Sequence, residues 1–272
     1  MNLASLASSA DGGALVLAFG RHRCRMARVD LLPHGDPRLA LPPIEDVYQA
    51  PPAREVLPPS RDSYVRHARL HQMIRTISSL HFPTGSRPEH GFEGDATSGR
   101  AWSSNGAGDS HAVAWSASAV AALAFDHEAP RERAADLARR APYEPSALAM
   151  SLAMGRQRAC NSLEWVVVGA DGDRCGGEGH ADELSGYTSS TDAALALWAG
   201  LHAISEAHAN LALQLTDATA SGRHRLTEAE ERVLLEPPPD GEGPPARDAV
   251  TAAVKLFAAL GVDWTASVRR RA

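Results

Sequence analysis

"SHAVAWSASAVAALAFDHE", residues 110–128, is the stretch on which the fold turns. It is an apolar, alanine-rich run that begins with a Ser-His pair and ends on two carboxylates flanking a histidine. Its pattern predicts strands around 111–115 and 119–125. On a strand, residues i and i+2 point to the same face, so Asp126 and Glu128 at its end would converge, about 6–7 Å apart along the chain. Such a pair repels itself unless a cation or a proton sits between the charges. A divalent metal at Asp126 and Glu128 is the expectation, and a solvated strand end is the alternative.

Upstream, "RDSYVRHARLHQMIRTISSL", residues 61–80, has Tyr64, Val65, Leu70, Met73, Ile74, Ile77 and Leu80 close to helical spacing. It is expected to be an amphipathic helix with an arginine-rich outer face. Residues 83–109 are rich in Gly, Ser and Pro and read as loop. Residues 33–60 carry eight prolines, Pro33 to Pro59, which exclude a helix or central strand and leave an extended connection. Before them, residues 1–12 are expected to fray, and "ALVLAFGRHRCRMARVDLL" contains one or two short strands.

Downstream, "RERAADLARR", 131–140, reads as a helix that stops before Pro142, and "EWVVVGADGDRCGGEG", 164–179, as a buried strand followed by a Gly-rich turn. "STDAALALWAGLHAISEAHANLALQL", 190–215, reads as one long helix with Ser190, Thr191 or Asp192 as N-cap. A short helix at 227–235, a second proline run and a last helix near 246–260 complete the chain. Mixed strands and helices in this order imply an α/β or α+β fold.

The chain of 272 residues is 44% hydrophobic, enough for a real core. A net charge of −6 argues against a general nucleic-acid binder. Lys255 is the only lysine, so 26 of the 27 basic residues are arginines. Cys24, Cys160 and Cys175 form no even framework and no C-x-x-C pair, which fits a reducing cytoplasm. No apolar stretch approaches a membrane span or a signal h-region, so neither secretion nor membrane insertion is expected. "DGDRCGGEGHAD", 171–182, reads as a polar turn rather than a calcium loop, and His202 with Glu206 as a local pair rather than a metal site.

The order of these pieces resembles the 4′-phosphopantetheinyl transferases, which move the phosphopantetheine arm of coenzyme A onto a carrier-protein serine. The resemblance covers roughly residues 60–170. It rests on the arginine-bearing helix with Arg66 and Arg75, "GSRP" with Arg87 and Pro88, "DSHAVA" with Ser110 and His111, and "FDHE" with Asp126 and Glu128. It implies two similar α/β halves packed together around a cleft. The halves would be residues 1–125, with the proline-rich connection, and residues 126–272, mostly helical.

The resemblance implies Mg²⁺ on Asp126 and Glu128, coenzyme A as substrate with Arg66, Arg87 and His111 on its phosphates, and an acyl or peptidyl carrier protein as partner. Two stretches compete for the last motif of the family. "WVVVGA" at Trp165 has Val168 and Gly169 where the family has Lys and Glu. "ARDAVTAAVKLFAALG" has Arg247 and Asp248 there, and makes Asp248 a third metal ligand, with Lys255 two helical turns on as general base. The alternatives are a catalytically degenerate member acting as a binding or assembly partner, and a metal-dependent hydrolase built on the same carboxylates.

Overall fold

Residues 110–125 build the centre of the larger sheet. The computed structural model describes residues 6–8, 15–19, 22–25, 60–82, 90–105, 108–130, 132–155, 157–179, 182–238 and 243–265. The chain divides into two units, Met1–Arg54 and Glu55–Ala272. In the first, β1 (Leu6–Ser8), β2 (Leu15–Phe19) and β3 (His22–Arg25) form an antiparallel meander. A strand thus lies within the segment expected to fray. Residues 33–59 and Arg87 lie outside the described residues.

In the second unit, β6 (Ser110–Trp115) and β7 (Ala119–Phe125) form the expected hairpin. Its turn is closed by Ser116, whose Oγ accepts from the backbone N–H of Ser118 and Ala119. Val113, Trp115, Val120, Ala122 and Ala124 enter one core, while Ala112, Ala114, Ala121 and Leu123 enter another on the opposite face. Both faces are covered, so the strands read as continuous apolar runs rather than alternating ones. The hairpin is the middle of a six-stranded antiparallel sheet. Beyond β6 lie β5 (Gly99–Ser104) and β4 (His90–Gly94); beyond β7 lie β10 (Ser162–Val167) and β11 (Arg174–Glu178).

The sheet corrects two expectations. Residues 90–94 and 99–104 are strands, not loop, and the Gly-rich segment after β10 is a strand too. Glycines there serve tryptophans: Gly91 is paired directly with Trp102, Gly99 with Trp115, and Gly176 with Trp165. A Cβ at Gly99 or Gly176 would stand 2.5 Å from the Cζ2 of the facing indole. Each ring covers a bare α-carbon across the ladder. The same sheet spans residue 126, where one expected half ends and the other begins. β7 ends at Phe125 bonded to β6 on one side and β10 on the other, so one sheet crosses that point.

α1 (Arg61–His81) lies against this sheet, started by a Ser60 capping box with Ser63. Helices α5 (Thr191–Leu201), α6 (Glu206–Ala218) and α8 (Arg247–Ala259) also pack on α1, and α7 (Glu228–Leu235) on α6. α2 (Ala134–Ala138) and α3 (Tyr143–Gly155) pack on the other face of the sheet, where β8 (Glu132–Arg133) and β9 (Ala159–Cys160) form a short antiparallel pair, and α4 (Asp182–Ser185) precedes α5. The fold is α+β. Among the described residues no helix is long and apolar enough to cross a membrane.

Two helical expectations change. α1 has no arginine-rich outer face, because helices cover the side away from the sheet. Arg69 and Arg75 are buried with His67, His71 and Gln72, and Arg66 alone of its arginines keeps an exposed side chain. Arg69 Nη2 donates to Thr219 O and Leu260 O, both at 3.0 Å, the C-cap carbonyls of α6 and α8. One cation thus satisfies the negative ends of two helices. The long helix expected at 190–215 is broken into α5 and α6. His202 caps α5, Ala203 takes φ +51°, and Ser205 starts α6 by accepting from His208 N.

Three expected outcomes follow from this packing. Gly99→Val drives a side chain into Trp115 and lowers stability by about 1–3 kcal/mol, read as a lower urea midpoint. Gly200→Ala, on an open face of α5 with nothing within 4 Å, raises it by about 0.5–1 kcal/mol in the same assay. Arg69→Met leaves two buried carbonyls unpaired and lowers stability by about 2–5 kcal/mol.

Candidate functional site

The chain leaves the sheet at Phe125, so strand alternation does not reach Asp126 and Glu128. They stand in a turn instead, where Asp126 Oδ1 accepts from Glu128 N at 2.8 Å. Asn161 brackets this turn: its Oδ1 accepts from Asp126 N at 3.1 Å, and its Nδ2 donates to Asp126 O at 2.6 Å. The groups that converge are Asp109, Asp126 and His127, whose ligand atoms lie within 4.8 Å of one another. His127 Nδ1 is 2.6 Å from Asp109 Oδ1, which also accepts from His127 N, and Asn105 Nδ2 donates to Asp109 Oδ2 at 2.6 Å.

The cluster is graded in exposure: Asp109 is buried, Asp126 half-buried and His127 open to solvent. Burial pushes the Asp109 carboxyl up, but the hydrogen bonds from the His127 ring and backbone and from Asn105 outweigh it and hold it below its ordinary value. The hydrogen bond to Asp109 and its charge raise His127 above the usual imidazole range. Without a cation, His127 and Asp109 share a proton, and a cation entering the cluster must displace it. Two carboxylates and one imidazole form a set that suits first-row transition ions at least as well as Mg²⁺.

The other expected site residues are spread over the unit. His111 points to the α1 side of the sheet with Val113 and Trp115 and is only 6% exposed. Its Nε2 lies 3.0 Å from Tyr187 Oη, and burial, aided by Arg75, pushes its pKa down to about 3. It is a neutral core histidine rather than an open phosphate contact. Arg66 is engaged within the chain: Nη2 and Nε donate to Asp217 Oδ1 at 2.8 and 3.1 Å, and Nη1 to Thr191 Oγ1 at 3.2 Å. Asp248 and Lys255 do share one exposed face of α8, as their spacing requires. They line an open groove of about 880 Å³ with Arg247, Thr251, Ala252 and Leu256.

A second cluster, absent from the sequence reading, lies inside. His71 Nε2 is 3.1 Å from His202 Nε2, and Arg75 Nη1 is 3.3 Å from His202 Nδ1. Arginine has donors only, so His202 Nδ1 must accept, its Nε2–H must donate to His71 Nε2, and His71 must carry its proton on Nδ1. Trp198 and His111 wall the His71 ring, each with its centroid 4.9 Å away. Burial, then neighbouring imidazoles and Arg75, hold His71 well below its ordinary value. Burial and Arg75 push His202 to about 3.

Family models, curated proteins and solved structures were compared with the chain, and none matches. The placement of Arg66 gives a direct check. Its partner Asp217 and Arg66 itself are about half-exposed, so Arg66→Ala is expected to lower stability by no more than about 1 kcal/mol in thermal denaturation.

Proposed function

We propose that the chain holds a divalent cation at Asp109, Asp126 and His127 and uses it to bind the diphosphate of coenzyme A, in the manner of a phosphopantetheinyl transferase. The grouping of those three residues carries the reading. A cation held there supplies charge neutralisation for a diphosphate. Asn105 holds the carboxylate of the buried Asp109, Asn161 holds the backbone of Asp126, and the Glu128 N–H holds the Asp126 carboxylate, so two of the three ligand groups are oriented before any ligand arrives. Arg66 would meet a phosphate only by releasing Asp217, and Arg87 remains a candidate for the same task.

In the transfer itself, the carrier serine Oγ forms a bond to the β-phosphorus of coenzyme A. The bond from that phosphorus to the bridging oxygen breaks, and adenosine 3′,5′-bisphosphate leaves. The serine proton goes to a base, for which Lys255 on the α8 groove is the candidate, with Asp248 beside it on the same face. The reading carries with it two similar halves around a cleft, a carrier-protein partner and a cytoplasmic location. The presence of a histidine in the group favours one other reading, a metal-dependent hydrolase that needs no carrier protein.

Calorimetry with Mn²⁺ and Mg²⁺, then with coenzyme A, tests the site. Asp126→Ala is expected to weaken cation binding by at least about 10-fold and to remove the cation's enhancement of coenzyme A binding. Mass spectrometry of acyl and peptidyl carrier proteins incubated with coenzyme A reads transfer as a gain of the phosphopantetheine mass, which Lys255→Ala should abolish. Coenzyme A binding without transfer would make the chain a binding partner. Phosphate-ester turnover without a carrier would favour the hydrolase, and no heat with either cation would end the reading.

A further inference from the structure

We propose that the hydrogen-bonded chain Arg75–His202–His71 is an acid-sensitive latch that holds the α5–α6 junction, His202 to Ser205, onto α1. This inference is independent of the cation site. His202 is the C-cap of α5 and sends its ring inward, while its carbonyl accepts from Ser78 Oγ at 3.0 Å. The following residue, Ala203, sits at φ +51° as the C′ residue of a Schellman cap, its N–H bonded to Gly200 O and that of Ile204 to Ala199 O.

The latch has one proton order. Arg75 donates to His202 Nδ1, and His202 Nε2–H donates to His71 Nε2. A proton added to His202 Nδ1 points a donor at the Arg75 guanidinium. A proton added to His71 Nε2 points a donor at the His202 N–H. Either one replaces an attraction with a donor–donor repulsion. Among the described residues, the other titratable or charged groups facing the two imidazoles are His111 of β6, His90 of β4 and Tyr187, whose hydroxyl burial keeps protonated. None of these is an anion able to compensate an imidazolium in this space.

The sign follows from linkage. The closed state refuses protons that an opened, hydrated imidazole takes up near its ordinary value of about 6.5. Closure is therefore fully favoured above that value and is lost as the pH falls below it toward about 3, where His202 in the closed state would titrate. Between about pH 7.5 and about pH 5, each freed imidazole multiplies the opening equilibrium by about 30, and both together by about 1000.

Hydrogen exchange read by mass spectrometry on the full chain, corrected for intrinsic rates, tests this. The amides of His202, Ala203 and Ile204, bonded to Trp198 O, Gly200 O and Ala199 O, should lose protection by about 30- to 1000-fold over that range. The amides of β7 should remain the more protected ones at the lower pH. His202→Gln can accept from Arg75 and donate to His71, so it keeps the chain and removes one titrating group. Its pH effect should fall to about 30-fold, and His71→Gln should do the same. Protection at 202–204 that changes by less than about threefold overturns the latch. So does opening of these amides only together with those of β7.

Discussion

The guanidinium of Arg69 sits at the ends of two helices, and the unit from Glu55 onward is arranged so that it can. Helices α6 and α8 finish with their C-cap carbonyls aimed at one point, and a helix C-terminus carries partial negative charge. A hydrophobic side chain on α1 at that point would leave both carbonyls buried and unpaired. The arginine satisfies both, and the Phe92 ring, 5.7 Å from its Cζ, gives the cation a further favourable face. Because Arg69 belongs to the helix that lies on the sheet, the same contact fixes α6 and α8 relative to the strands.

The cost of this arrangement is polar burial along α1. Arg69, His71, Gln72, Arg75 and His81 each keep a buried side-chain nitrogen or oxygen with no hydrogen-bond partner among the described residues. A helix covered on both sides by apolar layers would normally avoid such residues. Here they specify orientation. Arg69 reads the ends of α6 and α8, and Arg75 reads Ser104 O of β5 and the end of α5 at His202. Gln72 reads Trp102 O. Rotation of α1 by one residue would break every one of these bonds, whereas an apolar helix could slide.

The candidate cation site and the inner histidine chain sit on different sides of the same logic. Both use a carboxylate- or arginine-defined proton order to hold imidazoles, but Asp109 makes His127 more basic while Arg75 and burial make His202 less so. The outer histidine is suited to exchanging a proton for a cation. The inner pair is suited to staying neutral. Open loop and closed core assign opposite roles to one residue type.

Local chemistry was legible in the sequence wherever neighbours along the chain decide it. The β6–β7 hairpin follows from apolar runs and serines, the Thr227–Glu230 capping box starts α7 as its pattern requires, and Asp248 and Lys255 share a face of α8 because helical spacing demands it. Asp109 was recoverable too, since a hairpin that pairs Ser110 with Phe125 places Asp109 opposite Asp126. What the sequence does not contain is who stands across the ladder or above a helix. The glycines of β4 and β5 read as loop until Trp102 and Trp115 are seen covering them. The arginines of α1 read as solvent-facing until α5, α6 and α8 close over them, and the break at His202 to Ser205 reads as helix until His71 and Arg75 hold it. In each case a long-range contact outweighs a local preference of about 1 kcal/mol, and only the folded chain brings that contact into being.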